Sequence, residues 1–184
     1  PTVTDVTVIP LFDPPHQHLI TQDTTYLTVE QKMVARQRAV ASAQPDMRHE
    51  ENTLLLLAAA VEAKSEHPLA LAIVKTAVDR GLKIPEVSQF QSITGRGVKA
   101  QVSFMGGLSI AIGSPRFFEG LNVSNLEPAL AEVIRLQDQG KTSVIVAKES
   151  QHDTGHQYHI LGVIAIAGLP PMGVFMSEFL VVSS

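Results

Sequence analysis

The stretch VSQFQSITGRGVKAQVSFMGGLSIAIG, residues 87–113, decides what kind of fold this chain can adopt. Its middle, Gly95-Arg96-Gly97-Val98-Lys99-Ala100, satisfies a relaxed dinucleotide-binding fingerprint. That fingerprint works only where it opens a helix, because the pyrophosphate must meet free backbone N–H groups. Here Val98, Ala100, Val102 and Phe104 alternate with polar neighbours, the period-two pattern of a strand. Val87–Ile93 reads as the strand before it, and Gly106-Gly107 as a two-residue hairpin signal leading into a strand over Leu108–Ile112. A dinucleotide-binding fold is thereby disfavoured.

Towards the N-terminus, Leu54–Val61 reads as a buried helix, with Glu50 and Glu51 favouring its N-terminal dipole. Ser65 and Pro68 suit the start of a second helix whose core face is Leu71, Val74 and Val78, ended by Gly81. The pair makes an αα-hairpin. Residues 1–9, PTVTDVTVI, read as an opening strand. Residues 10–49 are irregular, with Pro14-Pro15 and a helical pattern of Val29, Met33, Val34 and Val40; they are expected to be a surface insertion.

Towards the C-terminus, Ser124 and Glu127 form a capping box for a helix reaching Gln139, which Gly140 stops. Thr142–Ala147 and His159–Ala167 read as strands joined by a polar stretch, Lys148–Gln157. Gly140-Lys141-Thr142 imitates the end of a phosphate loop, but Arg135 stands where the first glycine is needed. The triplet also leaves a helix and enters a strand, the reverse of a helix-N-terminal phosphate site. The expected fold is α/β (α+β): an antiparallel sheet of about six strands flanked by helical hairpins.

Composition bounds the rest. The 184 residues are 45% hydrophobic and 17% charged, which is globular and sized for one domain. A net charge of -4 provides no global attraction for nucleic acid or an anionic membrane. With no cysteine there is neither a disulfide framework nor a thiolate metal site. No apolar run reaches 18 residues, so no membrane-spanning helix is expected within the chain. Pro1 stands where an initiator Met would, and the chain is expected to be part of something larger. His16 and His18, and the set His152, His156 and His159, are expected to be solvated rather than a metal site.

One constellation remains: Glu62, Ser65-Glu66-His67-Pro68, Gly95, Gly97 and Gly113. Glu62 ends one helix and His67 begins the next, so both can border a pocket at the hairpin corner. A carboxylate accepts hydrogen bonds from an exocyclic amine, and an imidazole offers a flat face with a switchable donor or acceptor. Glycines beside a strand let a planar base lie against the backbone. The residues alone leave a second reading open, in which His67-Pro68 merely starts a helix, Glu62 is a solvated helix end and the glycines make turns.

VEAKSEHPLALAIV, residues 61–74, closely resembles the Ser-Glu-His-Pro-Leu segment of metal-transporting P1B-type ATPases. SITGRGVKAQV, residues 92–102, resembles their Gly-x-Gly stretch. Gly113, GKTSVIVA and LGVIAIA follow in the family's order, so the resemblance runs from about Glu50 to Ala167, and PTVTDV resembles the strand after the family's phosphorylation motif. The resemblance implies the nucleotide-binding (N) domain of a heavy-metal pump, a cytoplasmic domain of an integral membrane protein. It further implies that Glu62 and His67 contact adenine and that Gly95, Gly97 and Gly113 shape the pocket floor, supported by Ser65, Glu66, Pro68 and Val98. The ligand would be ATP, as Mg-ATP in the whole protein. Its γ-phosphate would go to an aspartate of a phosphorylation domain, with actuator and transmembrane domains completing the pump.

Departures limit the inference. The phosphorylated Asp-Lys-Thr-Gly-Thr motif is missing, so the chain alone, expected to be monomeric, should bind ATP without turning it over. After LGVIAIA, residues 168–184 leave the family's pattern and read as an extraneous tail, giving a domain of residues 1–167. The transported metal, whether zinc, cadmium or lead or else copper or silver, is not legible, since its ligands lie elsewhere. A self-contained phosphatase lacks a nucleophile with its base. A non-enzymatic regulatory or interaction domain remains the alternative.

Overall fold

A computed structural model describes residues 1–10, 47–152 and 155–168. The proposed helix within residues 28–43, most of the expected insertion and the tail from residue 169 lie outside them. Along the chain run β1 (Thr2–Val8), α1 (Met47–Glu62), α2 (Pro68–Asp79), β2 (Val87–Ile93), β3 (Gly97–Val102) and β4 (Leu108–Gly113). Then come α3 (Pro115–Phe118), β5 (Val123–Ser124), α4 (Leu126–Gln137), β6 (Thr142–His152) and β7 (Gly155–Ala167). Among the described residues the sheet has seven strands in the order β1-β7-β6-β4-β3-β2, every neighbouring pair antiparallel, with β5 added parallel to β7. The α/β antiparallel class expected from sequence is the one observed.

Strand alternation divides the interior into two cores. On one face α1 and α2 pack over Ala100, Val102, Ile110, Ile112, Val144, Val146, Ile164 and Ile166. On the other, α3 and α4 cover Ala111, Ile145, Ala147, Ile160, Val163 and Ala165. Leu and Ala, strong helix formers, fill α1, and Leu54, Leu55 and Leu57 are almost wholly buried. Each such leucine contributes roughly 1.5–3 kcal/mol of burial. Gly162 lets this helix approach the sheet: a Cβ there would run into Leu54 and the Thr7 carbonyl.

Several local expectations are corrected. The buried face of α2 is Leu69, Ala70, Ala72, Ile73 and Ala77, while Leu71 and Val78 are exposed and Val74 is half-buried. Two stripes of similar spacing competed, and the alanines let α2 lie close to α1, which outweighs the bulk of Leu71 and Val78. The Ser124–Glu127 capping box does not form. Asn125 is the N-cap, in the left-handed conformation, and the Ser124 hydroxyl instead accepts from Gln157 Nε2 at 3.1 Å. Ser124 is drawn into β5, whose ladder with β7 competes with capping. Gly106-Gly107 does not make a two-residue hairpin. The Val102↔Leu108 register places residues 103–107 in the turn, with Met105, Gly106 and Gly107 all at positive φ. The polar stretch Lys148–Gln157 is mostly strand, because β6 and β7 continue as one long hairpin past the apolar core. Finally, α1 begins at Met47, within the range expected as insertion.

Candidate functional site

The α1–α2 corner is built by one short run of residues. α1 ends at Glu62, whose carbonyl accepts from the Ser65 N–H at 2.9 Å. The Ser65 hydroxyl oxygen accepts from the His67 N–H at 3.3 Å. His67 is the N-cap of α2: its Nδ1 accepts from the Leu69 N–H at 3.2 Å, and Pro68 follows at the first helical position, where its missing N–H costs nothing. A neutral ring in this arrangement carries its proton on Nε2. Glu66 and Pro68 are exposed, Ser65 and His67 half-buried.

Glu62 differs from all of these. Only 6% of it is exposed. Burial pushes its carboxyl up to about 7, and a hydrogen bond with Ser65 offsets only part of that effect. The reading of Glu62 as a solvated helix end is therefore wrong for this residue.

The glycines gather at one end of β3 and β4. Gly97 and Gly113 are direct partners across the ladder. A Cβ on Gly97 would strike the Ile112 carbonyl and come within 2.8 Å of Gly113 Cα. One on Gly113 would lie 2.6 Å from the Arg96 carbonyl and 2.7 Å from Phe117 Cβ. The close approach of two backbones thus requires both glycines. Gly95 sits in the β2–β3 turn at φ +69°, with open space where a Cβ would stand. Val98 packs against the core beneath the helical hairpin, and α1 packs on β3 and β4. The two groups of site residues accordingly belong to the same helix-on-sheet unit, the first at its helical corner and the second at its glycine-paired strand ends.

A second polar cluster, missed in the sequence, lies on the other face. Glu149 accepts from Ser109 Oγ at 2.7 Å, Tyr158 OH at 3.0 Å and Lys99 Nζ at 3.4 Å, with His156 Nδ1 at 3.0 Å. It borders a cavity of about 410 Å³ together with Gln91, Gln101 and Lys148. Burial alone would raise the Glu149 carboxyl, but the bonds from Ser109 and Tyr158 and the Lys99 charge hold it below the ordinary range. No signal in the sequence marked the cluster, because the residues after Ala147 are polar without an apolar period.

Of the five histidines named as possible metal ligands, His156 is exposed and His159 half-buried, while His16 and His18 lie outside the described residues. Among the described residues no three His, Cys, Asp or Glu are grouped to hold a metal ion. No described helix is long and apolar enough to cross a membrane.

Known proteins share this segment. Over 121 residues, 64% of this chain, it is 40% identical to the cadmium-transporting ATPase of Staphylococcus aureus, covering 15% of that protein. It is 38% identical over 119 residues to the copper-exporting P-type ATPase B of Archaeoglobus fulgidus, covering 65% of this chain and 15% of that protein. A solved zinc-transporting PIB-type ATPase in the E2.Pi state superposes with a TM-score of 0.51 at 28% identity, over 72% of this chain and 19% of that one. No protein-family model matches the chain. The chain thus spans about one seventh of the length of these curated relatives. Over this segment the chain is similar to cadmium- and copper-transporting ATPases, and it shares its fold with part of a zinc-transporting PIB-type ATPase.

Proposed function

We propose that this chain binds ATP as the nucleotide domain of a heavy-metal-exporting P-type ATPase. The observation that carries the reading is the α1–α2 corner, where a buried carboxylate, a hydroxyl and an N-capping imidazole are gathered within six residues. Glu62 and His67 would meet the adenine. Gly95, Gly97 and Gly113 would form the floor on which it lies, and Ser65, Glu66, Pro68 and Val98 would support the walls. Residues 1–167 would be the domain, with an insertion that begins at residue 10 and ends before α1.

Phosphoryl transfer needs a nucleophile in line with the γ-phosphate and a cation to neutralise developing charge. Magnesium would arrive with the triphosphate. The division of labour follows: this chain grips the base, an aspartate of a phosphorylation domain receives the phosphoryl group, and membrane helices carry the metal cargo. Such a domain works in the cytoplasm, where the ATP is.

Calorimetry with three ligands tests the reading. ATP and adenosine should both bind, ATP modestly, and inorganic triphosphate should not. Triphosphate binding as well as ATP, with adenosine failing, would remove the purine site. Measurable phosphate release by the chain alone would overturn the division of labour.

A further inference from the structure

Glu62 has an unusual setting for a group assigned to accept hydrogen bonds. It closes α1, at the end of the helix that carries the partial negative charge of the helix dipole. Its side chain is enclosed, and among the described residues burial raises its carboxyl while a hydrogen bond with Ser65 opposes that. The charged and titratable groups on the described elements nearby are placed as follows. Lys64 and Glu66 in the turn are exposed. On α2, Lys75 and Asp79 pair with each other, and Arg80 bonds Asn52. Arg96 in the β2–β3 turn is exposed, and Lys99 of β3 serves Glu149 on the far face. His67, five residues on, has its Nδ1 committed to α2.

Among the described residues no cationic side chain is paired with Glu62, and an enclosed carboxylate so placed is expensive and ordinarily takes up a proton. We propose that Glu62 meets the purine as a neutral carboxylic acid, positioned by Ser65, with its O–H donating to a ring nitrogen and its carbonyl oxygen accepting from the exocyclic amine. This rests on the ATP-binding reading above and deepens it into a rule for base choice. A neutral acid has the donor–acceptor pair of a side-chain amide, the group that pairs bidentately with adenine. Adenine offers an acceptor nitrogen beside its amine, whereas guanine offers two acceptors on one edge and two donors on the other. A carboxylate, an acceptor only, would match the two donors of guanine. Protonation thus selects adenine. Ser65 is the positioning residue: its oxygen takes the His67 N–H while its hydroxyl bonds Glu62, tying both contacts to one atom.

The first test needs no nucleotide. A carbon-detected NMR titration of the Glu62 carboxyl should inflect near 7, and Ser65→Ala should move the inflection upward; an inflection near the ordinary 4.5 overturns the proposal. The second is ATP and GTP affinity between pH 6 and 8.5. ATP binding by the wild-type chain should weaken about tenfold per pH unit above the inflection, with proton uptake on binding, while GTP binding should not weaken. Glu62→Gln keeps the donor–acceptor pair, so it should bind ATP within a few-fold of wild type at pH 6 and lose that dependence. The variant also controls for titration of His67 and of the phosphates. A wild-type profile no steeper than that of Glu62→Gln, or loss of ATP binding by Glu62→Gln at pH 6, overturns the proposal. Absence of any ATP binding by the wild-type chain overturns the site reading on which it rests.

Discussion

Glu62 and Glu149 are both glutamates enclosed by the same sheet, one under the α1–α2 corner and one on the opposite face, and their surroundings treat charge in opposite ways. Glu149 receives a hydroxyl, a phenol and an ammonium, with the His156 imidazole nitrogen as a fourth partner at 3.0 Å, so its ionised form is well supported by protein groups. Glu62 has burial against it and Ser65 for it. Nothing in residue type separates them; the number of donors within reach does. A carboxylate held by three donors is a structural fastening, here joining β3, β4, β6 and β7. One held by a single hydroxyl retains hydrogen-bonding capacity, and that is the property a binding site needs.

The largest effect expected from breaking this contrast is at Glu149. Glu149→Ala should lower stability by about 2–3 kcal/mol at pH 7, since it strands donors that face one another across four strands. Because the folded-state ionisation of Glu149 is depressed, its contribution is present above the ordinary carboxylate range and is lost as pH falls through the folded value. The gap between wild type and variant, read from urea midpoints, should therefore narrow at strongly acid pH. A constant gap would mean that packing, rather than charge, holds the cluster together.

Glu62→Gln should act with the opposite sign. A carboxyl raised from 4.5 to about 7 binds more protons folded than unfolded, so stability falls as pH rises from 4.5 and levels above 7. The full cost is about 3 kcal/mol, part of which the buried amide of Gln would retain through its own imperfect bonding. The variant should be more stable than wild type by about 1–2 kcal/mol at pH 8 and no more stable at pH 5. Equal midpoints at both pH values would place Glu62 in contact with water.

Much of this contrast was hidden in the sequence for identifiable reasons. The strands around Val98–Val102 and the helix over Leu54–Val61 were legible because one face of each is apolar. Glu62 was legible as a site residue only through its place beside Ser65 and His67; its burial depends on α1 being seated on β3 by long-range packing. Glu149 was invisible because Lys148–Gln157 carries no apolar period. That segment is strand because β6 and β7 prolong each other's ladder, and its inward side chains meet a polar network instead of a core. The α2 face was misread since Leu71, Val74 and Val78 satisfy helical spacing as well as the smaller set that is buried. Gly97 and Gly113 could be picked out as a pair only once β3 and β4 were in register.

The smallest effect sharpens the fastening side of the comparison, through Tyr158. Its ring meets Phe117 and Phe118 edge-on, at centroid distances of 6.2 and 6.0 Å, and only its hydroxyl reaches Glu149. Tyr158→Phe keeps the ring and removes one donor of three, so the loss should be about 1 kcal/mol at pH 7, the worth of one hydrogen bond to a charged group that keeps other partners. Burial, then the bond and the charge of Glu149, push the phenol up to about 12. Since the unfolded phenol ionises near 10, the wild-type chain loses stability as pH rises from 10 towards 12, while the Phe variant does not lose it at this position. The stability gap should therefore close above about pH 10, which denaturant midpoints at pH 7, 9 and 10.5 can follow. A gap that widened with pH would mean that the phenol ionises readily in the folded chain. Glu149 would then lack that donor, and the four-partner account of its charge would fail at this bond first.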